Sequence, residues 1–206
     1  VTLAEANLAN TLFIGSFDNS DFTSADLTRA DFTQVSLAGV VLEDAIIDKA
    51  KFSRFSFEPQ PFFSPDTFYS TRSYRAGNLE AVNLSANDLT GWDFSSQNLR
   101  DANLARTDLT TANLSGADLS NAQLNGADVT DANFANAIIR GANLKLPLQA
   151  EQLYATASYQ QQDLREVTFP VNIRGWNLAG QDIRDADLKA ITALDADFQN
   201  TDLRGS

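Results

Sequence analysis

The sequence predicts an all-β fold in which the chain winds into stacked, four-sided coils and is interrupted by two short helical insertions. Three observations predict it: an apolar residue recurs every five positions, a small residue often stands two positions earlier, and the pattern breaks at two proline-containing segments. A helix would scatter residues of this period around its axis, and a flat strand alternates with a period of two. If the chain turns a corner at each repeat, four repeats close a coil of 20 residues and every apolar centre points inward.

The apolar centres fall into three runs. The longest continues without a slip through Leu79, Leu84, Leu89, Phe94, Leu99, Leu104, Leu109, Leu114, Leu119, Leu124, Val129, Phe134, Ile139 and Leu144. The first run comprises Phe17, Phe22, Leu27, Phe32, Leu37, Leu42, Ile47, Phe52 and Phe57, with Leu3 and Leu8 before it in a shifted phase. The third comprises Ile173, Leu178, Ile183, Leu188, Ala193, Phe198 and Leu203, with Leu164 and Phe169 leading into it.

The repeated unit reads A-(D/N)-L-x-x, as in Ala102-Asn103-Leu104 and Ala117-Asp118-Leu119. In this unit the chain resembles the pentapeptide-repeat family, and the resemblance covers most of the sequence. It implies a right-handed quadrilateral parallel β-helix. The Asp or Asn before each centre is a residue type that commonly hydrogen-bonds backbone at turns, so we interpret most of these side chains as structural.

The two breaks divide the chain into five segments. Pentapeptide-repeat coils are expected at 1–57, 78–144 and 164–206, and helical insertions at 58–77 and 145–163. In the first insertion Ser64 is a good N-cap and Pro65 a good first helical residue. In the second, one helix is expected from about Gln149 to Ser158.

The insertions begin copies of a longer unit. Tyr69 corresponds to Tyr154 at an offset of 85, and Trp92 to Trp176 at an offset of 84; a fainter copy begins at Phe13. Each Trp occupies the small inward position, so we expect a widened coil or an indole packed under the neighbouring helix; ligand stacking is the alternative. The insertions are expected to pack on the side of the rod or over a coil end. Their docking face would comprise Phe68, Tyr69, Leu153 and Tyr154.

Asp88, Asp108 and Asp128 are spaced by 20 residues and should stack on one face. Stacked like charges repel, and a bound cation would relieve the repulsion. Alternatively, each carboxylate accepts backbone N–H bonds and stays ionised. The sequence leaves both interpretations open and favours the second.

Composition restricts the possible functions. The net charge is −12, with 15 Lys and Arg against 27 Asp and Glu, so direct nucleic-acid binding is not expected. The chain has no Cys and no His, which excludes disulfides, cysteine zinc sites and the commonest general base. We predict no enzyme activity, no catalytic residue, no metal and no cofactor. No apolar run is long enough to span a membrane.

We therefore predict a soluble, non-catalytic structural or protein-interaction solenoid whose protein partner the sequence does not identify. One alternative is a DNA mimic that modulates a type II topoisomerase, as some members of the resembled family do; against it stand the helical insertions and the cations Lys49, Lys51, Arg54, Arg72 and Arg75. A second alternative is a carbohydrate-active or cation-binding β-helix. The chain starts at Val1, which suggests a processed or truncated N-terminus and leaves export open. The last pentad lacks a capping helix, which predicts end-to-end self-association.

Overall fold

A computed structural model describes residues 1–54 and 63–206; Phe57 and the beginning of the first insertion lie outside the described residues. Successive coils are joined by isolated parallel bridges between the residues that precede the apolar centres. On one wall they run from Asn83 to Asn103, Gln123 and Asn143, 20 residues apart at each step. No extended strand forms among the described residues, because each five-residue side contributes one bridged residue before the chain turns.

The corners are tight turns with a left-handed residue. At one of them Ala25 donates its N–H to the carbonyl of Phe22 at 3.0 Å, and Ser24 between them has φ of 58°. The same position has positive φ in nearly every described pentad, and it is filled by Gly in several, including Gly91. Since a residue with a Cβ is strained in this region, the tolerance for Gly, Asn and Asp at this position follows from backbone geometry.

The apolar centres and their small partners point inward, as the sequence predicts. Leu104, Leu109 and Ala112 are fully buried. Burying each aliphatic centre is worth roughly 1.5–3 kcal/mol, and it requires the coils on both sides. Burial therefore falls in the last coil, where Leu203 is 42% exposed.

Among the described residues, two sides have four residues instead of five. One joins Phe13 to Phe17, and the other joins Phe169 to Ile173. Across the second, the spacing between bridged residues changes from 19 at Thr168–Asp187 to 20 at Asn172–Thr192. The missing residue accounts for the change of offset from 85 to 84 within the longer unit.

Each insertion forms two very short helices. Helices α1 (Pro65–Tyr69) and α2 (Arg72–Arg75) form the first insertion, and α3 (Ala150–Tyr154) and α4 (Ala157–Gln160) form the second. The predicted N-cap at Ser64 is confirmed, since its hydroxyl accepts the N–H of Thr67. The single helix expected in the second insertion is wrong, because Thr156 interrupts it. The Thr156 hydroxyl caps α4 by accepting the N–H of Tyr159.

Both helix pairs are built into the wall of the solenoid. The N–H of Arg72 donates to the carbonyl of Ala45 at 2.9 Å, as a residue of the next coil would, and Ala157 donates to Ala137 at 2.9 Å. After each helix pair the chain returns to the same bridge ladder, at Asn83 in the first copy and at Thr168 in the second. The two helix pairs therefore lie at the same corner of the solenoid. This differs from the expectation that the insertions pack outside the rod or over a coil end.

Candidate functional site

Trp92 packs against the first helix pair and is 3% exposed. Its ring centroid lies 5.4 Å from that of Phe68 and 5.9 Å from those of Tyr69 and Phe94. Phe68 is itself fully buried. The prediction that this indole packs under the neighbouring helix is therefore confirmed. Its counterpart Trp176 is 5% exposed and belongs to the same core.

A pair of tyrosines clamps the backbone after each tryptophan. The Tyr69 hydroxyl accepts the N–H of Asp93 at 2.6 Å, and the Tyr74 hydroxyl donates to the carbonyl of Asp93 at 2.8 Å. In an uninterrupted wall these backbone groups would bond to the coil below, where the helices now stand. The phenols therefore complete the hydrogen bonding that the insertion interrupts.

The second copy repeats this clamp. The Tyr154 hydroxyl accepts the N–H of Asn177 at 2.6 Å, and the Tyr159 hydroxyl donates to the carbonyl of the same residue at 2.9 Å. Burial raises the pKa of Tyr159, and in the first copy burial raises the pKa of Tyr74 to about 12. These phenols stay protonated near neutral pH, which suits a structural donor better than an acid–base catalyst.

Sequence reasoning missed two buried glutamines that complete these units. Gln97 and Gln181 occupy the small inward position, and their amide nitrogens donate to the carbonyls of Tyr74 at 3.2 Å and Tyr159 at 3.1 Å. Their Oε1 atoms are buried and have no hydrogen-bond partner among the described residues. The signal was present, because the two glutamines stand at the same offset of 84 as the tryptophans.

The aspartate ladder forms as predicted, with bridges joining Asp88 to Asp108 and Asp108 to Asp128. Each carboxylate accepts the N–H of the threonine two residues later, at 2.9–3.0 Å. The hydroxyl of Thr130 adds a bond that lowers the pKa of Asp128. These bonds are the ones that the second interpretation requires. Within residues 1–54 and 63–206, no group of three or more acidic side chains is placed to hold a metal ion.

A ladder of alternating charges follows the second insertion. Three arginines each donate two hydrogen bonds, at 2.6–2.9 Å, to the carboxylate of the aspartate two residues earlier. The first two arginines also lie 3.7 and 3.6 Å from the aspartate of the next coil. The pairs are Asp163 with Arg165, Asp182 with Arg184, and Asp202 with Arg204. Hydrogen bonds from Arg204 lower the pKa of Asp202 to about 2. The motif D-(L/I)-R marks this ladder in the sequence, but sequence reasoning missed it.

Three of the five cations near the first insertion form ion pairs with described residues. Lys49 lies 3.1 Å from Glu80, and Lys51 lies 3.0 Å from Asp31. Arg75 contacts both Glu43 and Asp44. The surface near the first insertion therefore presents both positive and negative charges to solvent.

An open groove of about 480 Å³ lies beside the second insertion. It separates the segment 145–149, which leads into α3, from the segment 170–174 of the coil above. Trp176 is part of its lining, and Lys145 and Arg174 contribute the charged side chains. Sequence reasoning did not predict this groove.

None of the helices in the described part of the chain combines the length and apolar character needed to cross a bilayer.

The comparison with known families finds a match. The family described as pentapeptide repeats matches in eight copies, at residues 16–54, 78–116 and 112–146, which together cover more than half of the chain. A comparison with curated protein sequences finds no match.

Several solved structures are similar in part. HetL, a pentapeptide repeat protein involved in heterocyst differentiation regulation in the cyanobacterium Nostoc sp. strain PCC 7120, is 20% identical over 98% of this chain and 71% of its own, with a TM-score of 0.26. Trypsin-treated QnrB1, a plasmid-mediated fluoroquinolone resistance protein, is 14% identical over 98% and 86%, with a TM-score of 0.28. Rfr23 from the cyanobacterium Cyanothece 51142 is 17% identical over 65% and 64%, with a TM-score of 0.21. At these identities and scores the similarities carry no argument about function.

Proposed function

We propose that this chain, which belongs to the pentapeptide repeat family, is a non-catalytic scaffold that binds another protein along its outer walls. The family further implies that the four-sided coil is right-handed. The observation that supports the proposal is that the polar side chains form hydrogen bonds and ion pairs within the solenoid. The ladder aspartates accept backbone N–H groups, the tyrosines clamp backbone, and cations such as Lys51 and Arg184 are held by neighbouring carboxylates.

The repeated unit supports binding to an extended partner. The two helix pairs lie at one corner, and the ladder between them passes through four coils, at Asn78, Asn98, Asp118 and Ile138. At the usual spacing of about 4.8 Å between bridged chains, the pairs are about 19 Å apart. A rigid wall that repeats the same chemistry at this distance presents two equivalent contact points to one partner, which increases avidity without new chemistry.

The test is competitive capture from an extract of the source organism. The immobilised chain should retain at least one protein that free chain displaces in a saturable manner. A variant in which Arg106 and Asn125 on an outer wall are replaced by Glu serves to locate the contact. If no protein is displaced by free chain at micromolar concentration, the scaffold proposal is wrong.

A second candidate is a DNA-mimic modulator of a type II topoisomerase, and the net charge of −12 favours it. The alternating Asp–Arg ladder and the paired cations at the first insertion count against it, because a DNA mimic needs continuous negative potential. A gyrase supercoiling assay decides. Absence of both inhibition and drug protection at micromolar chain would remove this candidate.

A further inference from the structure

The groove beside the second insertion lies where a rung of the bridge ladder is missing. On this wall, bridges join Asp108 to Asp128 and Asn172 to Thr192, but none involves the segment 145–149 that passes between them. The N–H groups of Leu146 and Leu148 bond instead to carbonyls two residues earlier, at 2.7 and 2.9 Å. The segment therefore follows the wall without bonding to the coil above it.

The facing segment offers backbone donors. The N–H and carbonyl groups of Asn172 make no hydrogen bond with any described residue, whereas the equivalent groups of Asp108 bond to Asn87 and Leu89 in the coil below. Val171 is also 57% exposed, which is unusual for a side chain of this size in this wall. An edge with free N–H groups is a template for pairing with another extended chain.

The chemistry of the lining selects the partner. The walls are apolar, with Leu146, Pro147, Leu148, Pro170 and Val171. The charged side chains are both cations, Lys145 and Arg174, and no acidic side chain lines the groove. Lys145 is paired with Asp187 at 3.2 Å, whereas Arg174 is held only loosely, at 3.5 Å from Asp195, with both side chains more than 60% exposed. On a chain of net charge −12, this combination favours a ligand that is both apolar and anionic.

We propose that the groove binds an extended segment of a partner protein that supplies the missing rung. The segment pairs with the N–H and carbonyl groups of Asn172, lays an apolar side chain toward Trp176, and places a carboxylate near Arg174. Strand addition of this kind derives affinity from main-chain bonds and specificity from alternate side chains. The groove volume of about 480 Å³ suits a short peptide. This inference rests on the proposed function and specifies its site.

The experiment uses the full chain and a defined probe. The peptide acetyl-EVDLEV-amide is titrated into ¹⁵N-labelled protein up to about 1 mM. The amide signals of Val171 and Asn172 and the indole signal of Trp176 should move in a saturable manner. The indole of Trp92, in the other copy of the unit, is an internal control and should not move.

Three matched controls sharpen the result. Acetyl-KVKLKV-amide should bind at least tenfold more weakly if Arg174 selects the ligand. The acidic peptide with alternate backbone nitrogens methylated should lose binding if main-chain pairing is required. Arg174→Glu should weaken the acidic peptide at least tenfold, whereas Arg29→Glu, an exposed substitution in the first run, should not.

Several outcomes overturn the inference: no shifts, shifts outside the groove, or equal shifts with the lysine or methylated peptide. Concentration-dependent shifts of the same signals without peptide would assign the groove to a second copy of this chain instead. The capture assay separates the two proposals. If Arg174→Glu still captures the competed protein, the scaffold function stands and the groove is not its site.

Discussion

Replacing Phe68 with Ala tests whether the helical insertion is part of the core. Phe68 is fully buried, and its ring lies 5.8 Å from Phe63, 5.9 Å from Tyr74, 5.4 Å from Trp92 and 6.3 Å from Phe94. Loss of the transfer free energy accounts for about 1.5–3 kcal/mol. The cavity left between packed rings raises the expected cost to about 3–5 kcal/mol of unfolding free energy.

Urea denaturation followed by tryptophan fluorescence and by far-ultraviolet circular dichroism measures this cost. Phe68→Leu retains most of the volume and should lose about 1–2 kcal/mol. Leu153→Ala, the counterpart in the second copy, should lose about 2–5 kcal/mol and should perturb the Trp176 indole signal rather than that of Trp92. A loss below about 1 kcal/mol for Phe68→Ala, with the Trp92 signal unchanged, would show that the helix does not close the core.

Three further predictions concern the turns, the clamp and the charged ladder. Gly91→Ala should lower the free energy of unfolding in urea by about 1 kcal/mol, because φ is +70° at this position. Ala81→Gly, where φ is 54°, should be neutral or stabilising, and the reverse order would contradict the turn assignment. The hydroxyl of Tyr74 should titrate with a pKa near 12 in an ultraviolet absorbance titration. The stability that this protonated hydroxyl contributes is complete below the unfolded pKa of about 10 and is lost as the pH rises through about 12. A pKa of about 10 in the folded protein would contradict a buried clamp. The contribution of Asp202 is present above about pH 3.9 and is lost as the pH falls through about 2; Arg204→Gln should return its pKa, measured by NMR, toward the ordinary value, and an unchanged pKa would contradict the pairing.

The period of five made the coils predictable because it constrains each residue locally. Leu104 and Ala102 had to point inward whatever lay above or below them, and they do. The N-cap at Ser64 was equally local, since the hydroxyl needs only the next turn of chain.

The clamp and the groove were not predictable, because they depend on which residues the insertions bring opposite each other. Tyr69 meets Asp93 across 24 residues, and nothing local to either residue fixes that distance. The helices were expected on the side of the rod or over a coil end. The N-caps at Thr71 and Thr156 divide each insertion into two helices of about one turn, which are short enough to fit in the wall.

The placement of both helix pairs at one corner has a consequence for how the molecule could grow. A unit that spans a whole number of turns can be duplicated in tandem, and every older residue keeps the direction in which it faces. Gene duplication can then lengthen the solenoid in steps of one unit without changing any interior contact. A partner that binds two helix pairs at once would distinguish chains by the number of coils between those pairs.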